Sequence, residues 1–145
     1  MELPVDYPRP GVFTFEGETR GFSLDRRRSE AIREWAAGRG LTLYMALLAV
    51  YKVLLAKYCG QEDIIVGSGI AGRNHEDIQD LVGLFVNMLP MRSQPHQGKK
   101  FADYLEEIRE NTLKAFENQD IQFEDLVRSL GVPRDPSRNP IFDTC

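Results

Sequence analysis

The sequence predicts an α/β (α+β) fold in two layers, a sheet of several strands covered by helices. Three observations carry that expectation. Apolar residues recur at helical spacing over 26–37, 42–58 and 100–117. Short apolar runs at 63–66 and 84–91 are bounded by turn residues, as strands are. The two kinds of segment alternate along the chain instead of separating into blocks. With 145 residues, 42% of them hydrophobic, the chain is long enough for one domain with a real core.

The elements follow in order. Residues 1–17 carry Pro4, Pro8, Pro10 and Gly11 and read as an extended lead-in. Thr19 to Leu24 alternates enough for a strand. Asp25 caps a helix to about Ala37, with Ile32, Trp35 and Ala36 on one face and Gly38 and Gly40 ending it. Thr42 caps a second helix through Tyr58. Its Leu43, Ala46, Leu47, Val50, Tyr51, Leu54 and Leu55 make it apolar nearly all round, so it is expected to be the most buried element. A strand follows at Asp63 to Val66, a polar loop at 73–80, and a second strand at Leu84 to Met91, where Pro90 marks an end or an edge. Phe101, Tyr104, Leu105, Ile108, Thr112, Ala115 and Phe116 define a long amphipathic helix. Phe123 to Leu130 is a short helix closed by Gly131 and Pro133. Pro140-Ile141-Phe142-Asp143-Thr144-Cys145 reads as a strand just beginning, so the chain is expected to be truncated inside its last strand.

Composition narrows the function classes. A formal net charge of −4, with Arg26-Arg27-Arg28 the only basic run and Asp25 and Glu30 beside it, argues against nucleic acid. Two cysteines, Cys59 and Cys145, imply no disulfide framework and fit a reducing compartment, so a cytoplasmic location is expected. No secretory leader is expected with Pro4, Pro8 and Pro10 where its apolar core would lie. The longest apolar stretch, Leu41 to Ala56, is broken by Thr42 and Lys52 and falls short of the ~20 residues of a membrane span, so no membrane partner is expected.

One motif invites a specific chemistry. Ile64-Ile65-Val66 runs into Gly67-Ser68-Gly69-Ile70-Ala71-Gly72, the G-x-G-x-x-G of a dinucleotide-binding turn. That fold needs an amphipathic helix starting at the third glycine. Arg73, Asn74, His75, Glu76, Asp77 and Gln79 follow instead and have almost no face to bury, so the glycines are read as a sharp turn with Arg73 anchoring the loop. His75 and His96 have no Cys or second His at ligand spacing, and no metal site is expected. Ser68 is not in a G-x-S-x-G elbow. Asn118-Gln119-Asp120 reads as a helix break and cap. The residues by themselves offer no catalytic group.

Taken together, several stretches resemble one family. Leu81–Arg92 (LVGLFVNMLPMR), Asn118–Val127 (NQDIQFEDLV) and Arg134–Asp143 (RDPSRNPIFD) are similar to three successive core motifs of condensation domains from nonribosomal peptide synthetases. The preceding loop GSGIAGRNHEDIQDLVG, the helical stretch LTLYMALLAVYKVLLAKYCGQEDIIVG and the lead-in LPVDYPRP fit as well, in the right order. The family commonly has Pro where this chain has Gly69, so the dinucleotide match is accidental. The family's H-H-x-x-x-D-G signature, which belongs to the N-terminal half of the domain, is absent from the sequence.

The resemblance implies one chloramphenicol-acetyltransferase-like lobe, the C-terminal lobe, over residues 18–145. It implies amide bond formation between aminoacyl or peptidyl thioesters, with no cofactor bound by this chain and the substrates carried on the phosphopantetheine arms of carrier domains. The implied partners are the N-terminal lobe, peptidyl carrier proteins and an adenylation domain. No catalytic residue is expected here, and the lobe alone is expected to be inactive and to self-associate. A carrier-docking module and a lobe of an epimerising or ester-forming relative are the alternatives. Asn87 is expected to face the substrate tunnel and position substrate or the tetrahedral intermediate. Arg92 and Arg73 either pair with acidic groups in the loops or meet a phosphopantetheine phosphate. Asp120 and Phe123 are read as structural, and Arg134, Asp135 and Arg138 as ties for the last loop.

Overall fold

A computed structural model describes residues 1–145. Asp25 caps α1 (Arg26–Ala37) by accepting from the Arg28 backbone N–H, and Thr42 caps α2 (Leu43–Cys59) by accepting from Met45. Strands β1 (Ile64–Ile70) and β2 (Asn87–Ser93) pair antiparallel, with Ile64 opposite Ser93 and Ile70 opposite Asn87. Helices α3 (Phe101–Glu117) and α4 (Phe123–Ser129) complete the order. No helix is long and apolar enough to cross a membrane.

The antiparallel ribbon has one sealed face. Ile64 and Val66 of β1 and Leu89 and Met91 of β2 point the same way and meet Met45, Ala46, Leu48, Ala49 and Leu55 of α2 and Tyr104, Leu105 and Ile108 of α3. α1 closes the side through Ala36 and Trp35, whose indole stacks with Phe101 at 6.4 Å. The result is the expected mixed architecture of helices over a sheet.

Several details differ from the expectation. The sheet has two strands, not several. No strand forms at Thr19–Leu24; that segment is extended and exposed, because no neighbouring strand lies beside it to take its backbone hydrogen bonds. Residues 84–86 belong to a loop, and the second strand starts at Asn87. Residues 141–145 are not a strand, although Gly67 donates to the Thr144 carbonyl at 2.8 Å along the free side of β1. Pro90 sits opposite Gly67 within β2; it brings no N–H, and as one of only two strands β2 tolerates it at an edge. A Cβ on Gly67 would collide with the ring of Phe142, which lies against it.

α2 has the most buried positions of any helix, as expected, but through a different stripe. Leu47, Val50, Tyr51 and Leu54 are exposed, and Lys52 is buried at 1% exposure. A helix apolar on all sides carries no signal of which side faces the core, so packing on the ribbon made the choice.

Ile108 is 1% exposed at the centre of the contact between α3, α2 and β2. Replacing it by Ala should cost about 2–5 kcal/mol in urea unfolding. Lys114→Ala on the exposed side of α3 should change stability by no more than about 0.5 kcal/mol.

Candidate functional site

Asn87 opens β2 on the core-facing side, in register with Leu89, Met91 and Ser93, and is 5% exposed. Its amide nitrogen donates to the carbonyls of Gln119 (2.9 Å) and Ile121 (2.8 Å). Its amide oxygen accepts from the backbone N–H of Met88 (2.9 Å) and Phe123 (3.1 Å). Both hydrogens and both lone pairs are therefore engaged inside the chain. The side chain holds the turn between α3 and α4 against the start of β2. Asn74 reaches the same turn from the other direction, donating to Asp120 Oδ1 at 2.9 Å.

The loop between the strands closes on itself. Gly72 has φ +63° and a Cβ there would collide with the Phe85 carbonyl, so the chain turns tightly at this point. The Arg73 guanidinium donates to the carbonyls of Ile78 and Gln79 (3.0 Å for the latter) and lies 4.4 Å from the centre of the Phe85 ring. His75 caps a short 3-10 turn, Glu76–Ile78, accepting from Asp77. With its carbonyls gathered inward, the loop turns Leu81, Val82, Leu84 and Val86 outward, and Val82 and Leu84 are almost wholly exposed.

Arg92 lies on the opposite face of β2 from Asn87 and makes a two-pronged pair with Asp63, at 2.9 and 2.8 Å. Those hydrogen bonds hold the Asp63 carboxyl below its ordinary range. The three residues singled out in the sequence are thus not gathered at one point. Asn87 anchors a turn, Arg73 clamps a loop and Arg92 ties two strand ends. Arg138 behaves as anticipated: its guanidinium grips both oxygens of Asp143 and reaches Glu2 and the Met1 carbonyl. Asp135 pairs with Ser137 within its own turn.

Neither Asn87 nor Arg73 lines any of the three main cavities. A cleft of about 450 Å³ lies between the end of α2 and the 95–101 loop, with Lys57, His96 and Tyr104 in its wall. One of about 800 Å³ runs beside α4, walled by Phe123, Val127 and Arg134, and one of about 420 Å³ lies beside Arg92, Glu107 and Asn111.

Sequence reasoning missed the Asn74–Asp120 bridge. The two residues are 46 positions apart in sequence, and separation of that kind gives no local periodicity to read.

The family model described as "Condensation domain" matches residues 1–145. The chain is 50% identical over 144 residues to tyrocidine synthase 3 of Brevibacillus parabrevis, covering 99% of this chain and 2% of that protein. It is 51% identical over 144 residues to bacitracin synthase 1 of Bacillus licheniformis, covering 99% of this chain and 3% of that one. The chain therefore spans only a few per cent of the length of these curated relatives. Among solved structures, a holo four-domain nonribosomal peptide synthetase bound to AMP and glycine superposes with a TM-score of 0.93 at 25% identity, over 97% of this chain and 11% of that one. The X-domain from teicoplanin biosynthesis superposes with a TM-score of 0.88 at 23% identity, over 97% of this chain and 31% of that one.

Asn87→Asp tests the anchor. A carboxylate has no donor for the Gln119 and Ile121 carbonyls, so urea stability at pH 7 should fall by roughly 1–3 kcal/mol. Protonating that carboxyl restores one donor, and the deficit relative to the native chain should shrink when the same unfolding is followed at pH 4.5. Arg92→Ala, which breaks only an exposed pair, should cost less than about 1 kcal/mol.

Proposed function

Since the chain belongs to the condensation-domain family, we propose that it acts as the C-terminal lobe of a domain that forms amide bonds between carrier-bound thioesters in nonribosomal peptide synthesis. The observation that carries this reading is the match of all 145 residues to the family, with about half the positions identical to those of peptide synthetases.

In that reaction the acceptor's α-amine attacks the carbonyl carbon of the donor thioester. A tetrahedral oxyanion forms, the C–S bond breaks as the oxyanion collapses, and the proton lost from the attacking nitrogen passes through a base to the departing sulfur, which leaves as the thiol. The oxyanion needs fixed donors and a dry, positioned setting. The paired histidines that the family signature supplies are not in this sequence, where His75 and His96 stand alone in separate loops. The contribution assigned to this lobe is therefore to shape and position. Asn87, with no free donor, acts through the α3–α4 turn it holds. Arg73 and Arg92 act through the loop and the strand ends they fix. The substrates arrive on phosphopantetheine arms of carrier domains, with the N-terminal lobe and an adenylation domain as the other partners.

Two surfaces support another lobe as a neighbour. Leu81, Val82, Leu84 and Val86 project from the clamped loop, and Leu47, Tyr51, Leu54 and Tyr58 form an exposed stripe on α2. Apolar surface in such runs marks contact with other protein. A purely docking role is the second reading, favoured by the backbone likeness to an X-domain that was solved in complex with OxyB from teicoplanin biosynthesis.

Assays with two loaded carrier proteins separate the readings. The chain alone should give no dipeptide, and the whole domain containing it should give dipeptide. In the whole domain Asn87→Ala should lower kcat by about ten- to a hundredfold through a misplaced turn. Dipeptide formation by the chain alone would overturn its assignment as a positioning lobe, and an inactive whole domain that still binds carriers would favour docking. In light scattering at micromolar concentration the chain alone should run larger than a monomer, because its apolar surfaces are uncovered.

A further inference from the structure

Lys52 is 1% exposed in the middle of α2, and no carboxylate pairs with it. Its Nζ is 3.1 Å from Ser93 Oγ, and Ser93 Oγ is 2.8 Å from the Tyr104 hydroxyl. Three elements meet in this chain of polar atoms: α2 supplies the amine, β2 the serine and α3 the phenol. Ser93 shares its strand face with Asn87, and Tyr104 lies on the helix that leads into the turn Asn87 holds. The nearest formal charges are Glu107 on α3, which pairs with Lys99 from the adjoining loop, and Asp63 before β1, which pairs with Arg92.

The direction of the hydrogen bonds depends on Lys52. With a neutral amine, Tyr104 O–H donates to Ser93, Ser93 O–H donates to the lone pair on Nζ, and the chain is complete. With an ammonium, Nζ must donate to Ser93 Oγ, so the Ser93 proton turns away from Nζ. Ser93 and Tyr104 then have two hydroxyl protons and one contact between them, and one of those protons is left without an acceptor in the cluster. Two N–H groups of Nζ lack a partner in either state, and in an apolar setting that costs far more for a cation than for an amine.

We propose that Lys52, Ser93 and Tyr104 form a proton-sensitive fastener: it closes with Lys52 neutral, and uptake of a proton from solvent reverses the Lys52–Ser93 hydrogen bond and loosens α3 from β2. This inference stands on the buried cluster alone and does not rest on the proposed amide-forming reaction. Burial pushes the Lys52 amine down from its ordinary 10.5 to about 8, in the same direction, against a smaller opposing pull from Glu107 and Asp63. Below pH 8 the folded and unfolded chains both carry the proton, and the folded chain carries it at a cost. Between about pH 8 and 10.5 the folded chain has released it and the unfolded chain has not. The unfolded chain then binds more protons, so stability rises with pH across that window.

The experiment is a pH titration from 6 to 11 of the chain with 13C-labelled lysines, read by NMR at the lysine Cε carbons. One resonance, assigned to Lys52 by its loss in Lys52→Met, should move with a midpoint near pH 8, well below the others. Ser93→Ala removes the only acceptor of the ammonium and should move that midpoint further down. Amide resonances of α3 near Tyr104 should shift with the same midpoint. Urea midpoints of the native chain should rise from pH 7 to pH 9.5, and those of Lys52→Met should not rise with them. Lys52 titrating with the exposed lysines would overturn the proposal, as would a midpoint indifferent to Ser93→Ala or α3 amides that do not respond. The native chain's own titration decides the matter if Lys52→Met fails to fold, because Lys52→Gln or Lys52→Arg can then supply the assignment.

Discussion

A two-stranded antiparallel ribbon is marginal in water, so β1 and β2 persist only because one of their faces is sealed. The sealing falls to α2 and α3, and it sets what those helices must be. α2 offers small and medium side chains, Ala46 and Ala49 among them, that let the helix approach the ribbon closely. α3 offers larger ones, Tyr104 and Ile108. The polar tips this brings into the interior, Lys52, Ser93 and the Tyr104 hydroxyl, then have to find one another. The same demand governs the far end of β2, where Asn87 is buried only because four groups converge on it.

Much of this was legible in the residues. Caps at Asp25 and Thr42, the 3.6-residue recurrence from Phe101 to Phe116 and the breaks at Gly60 and Gly131 placed the four helices within a residue or two. The strands were harder. Three apolar residues at 64–66 announced β1, but its extension through Gly67-Ser68-Gly69 rests on pairing with Met88–Leu89–Pro90, and partners far apart leave no local trace. The run at 84–86 is apolar and β-prone, yet it lies in the loop, because Phe85 is drawn toward Arg73 and Gly72. On α2 the periodicity was silent about orientation, which is why Lys52 came out inside and Leu47 outside.

The site shows the same division. That Asn87 matters was visible in its motif; that its amide faces inward to a turn was not, since the turn lies more than thirty residues later. Ser68 illustrates the reverse error of over-reading. It sits in a glycine-rich run that suggests phosphate chemistry, and it simply accepts from the Tyr44 hydroxyl at 2.8 Å, tying the start of α2 to β1. The resemblance to condensation domains rested on ordered motifs whose residues prove to be mostly mutual supports: Asn74 with Asp120, Asn87 with the 119–123 turn, Arg138 with Asp143. Family motifs of this kind describe how a scaffold is locked, and a reader who expects every motif residue to touch substrate will misplace them.

The clamped loop between the strands has a consequence for how such a protein can change. Its closure relies on one guanidinium, a handful of backbone carbonyls and a glycine turn, all of which face inward. Its outward residues contribute almost nothing to holding it shut. Leu81, Val82 and Leu84 are therefore free to drift in size and shape while the loop keeps its form, so matching to a neighbouring surface can be retuned, or the tip exchanged between relatives, without reopening the question of whether the domain folds.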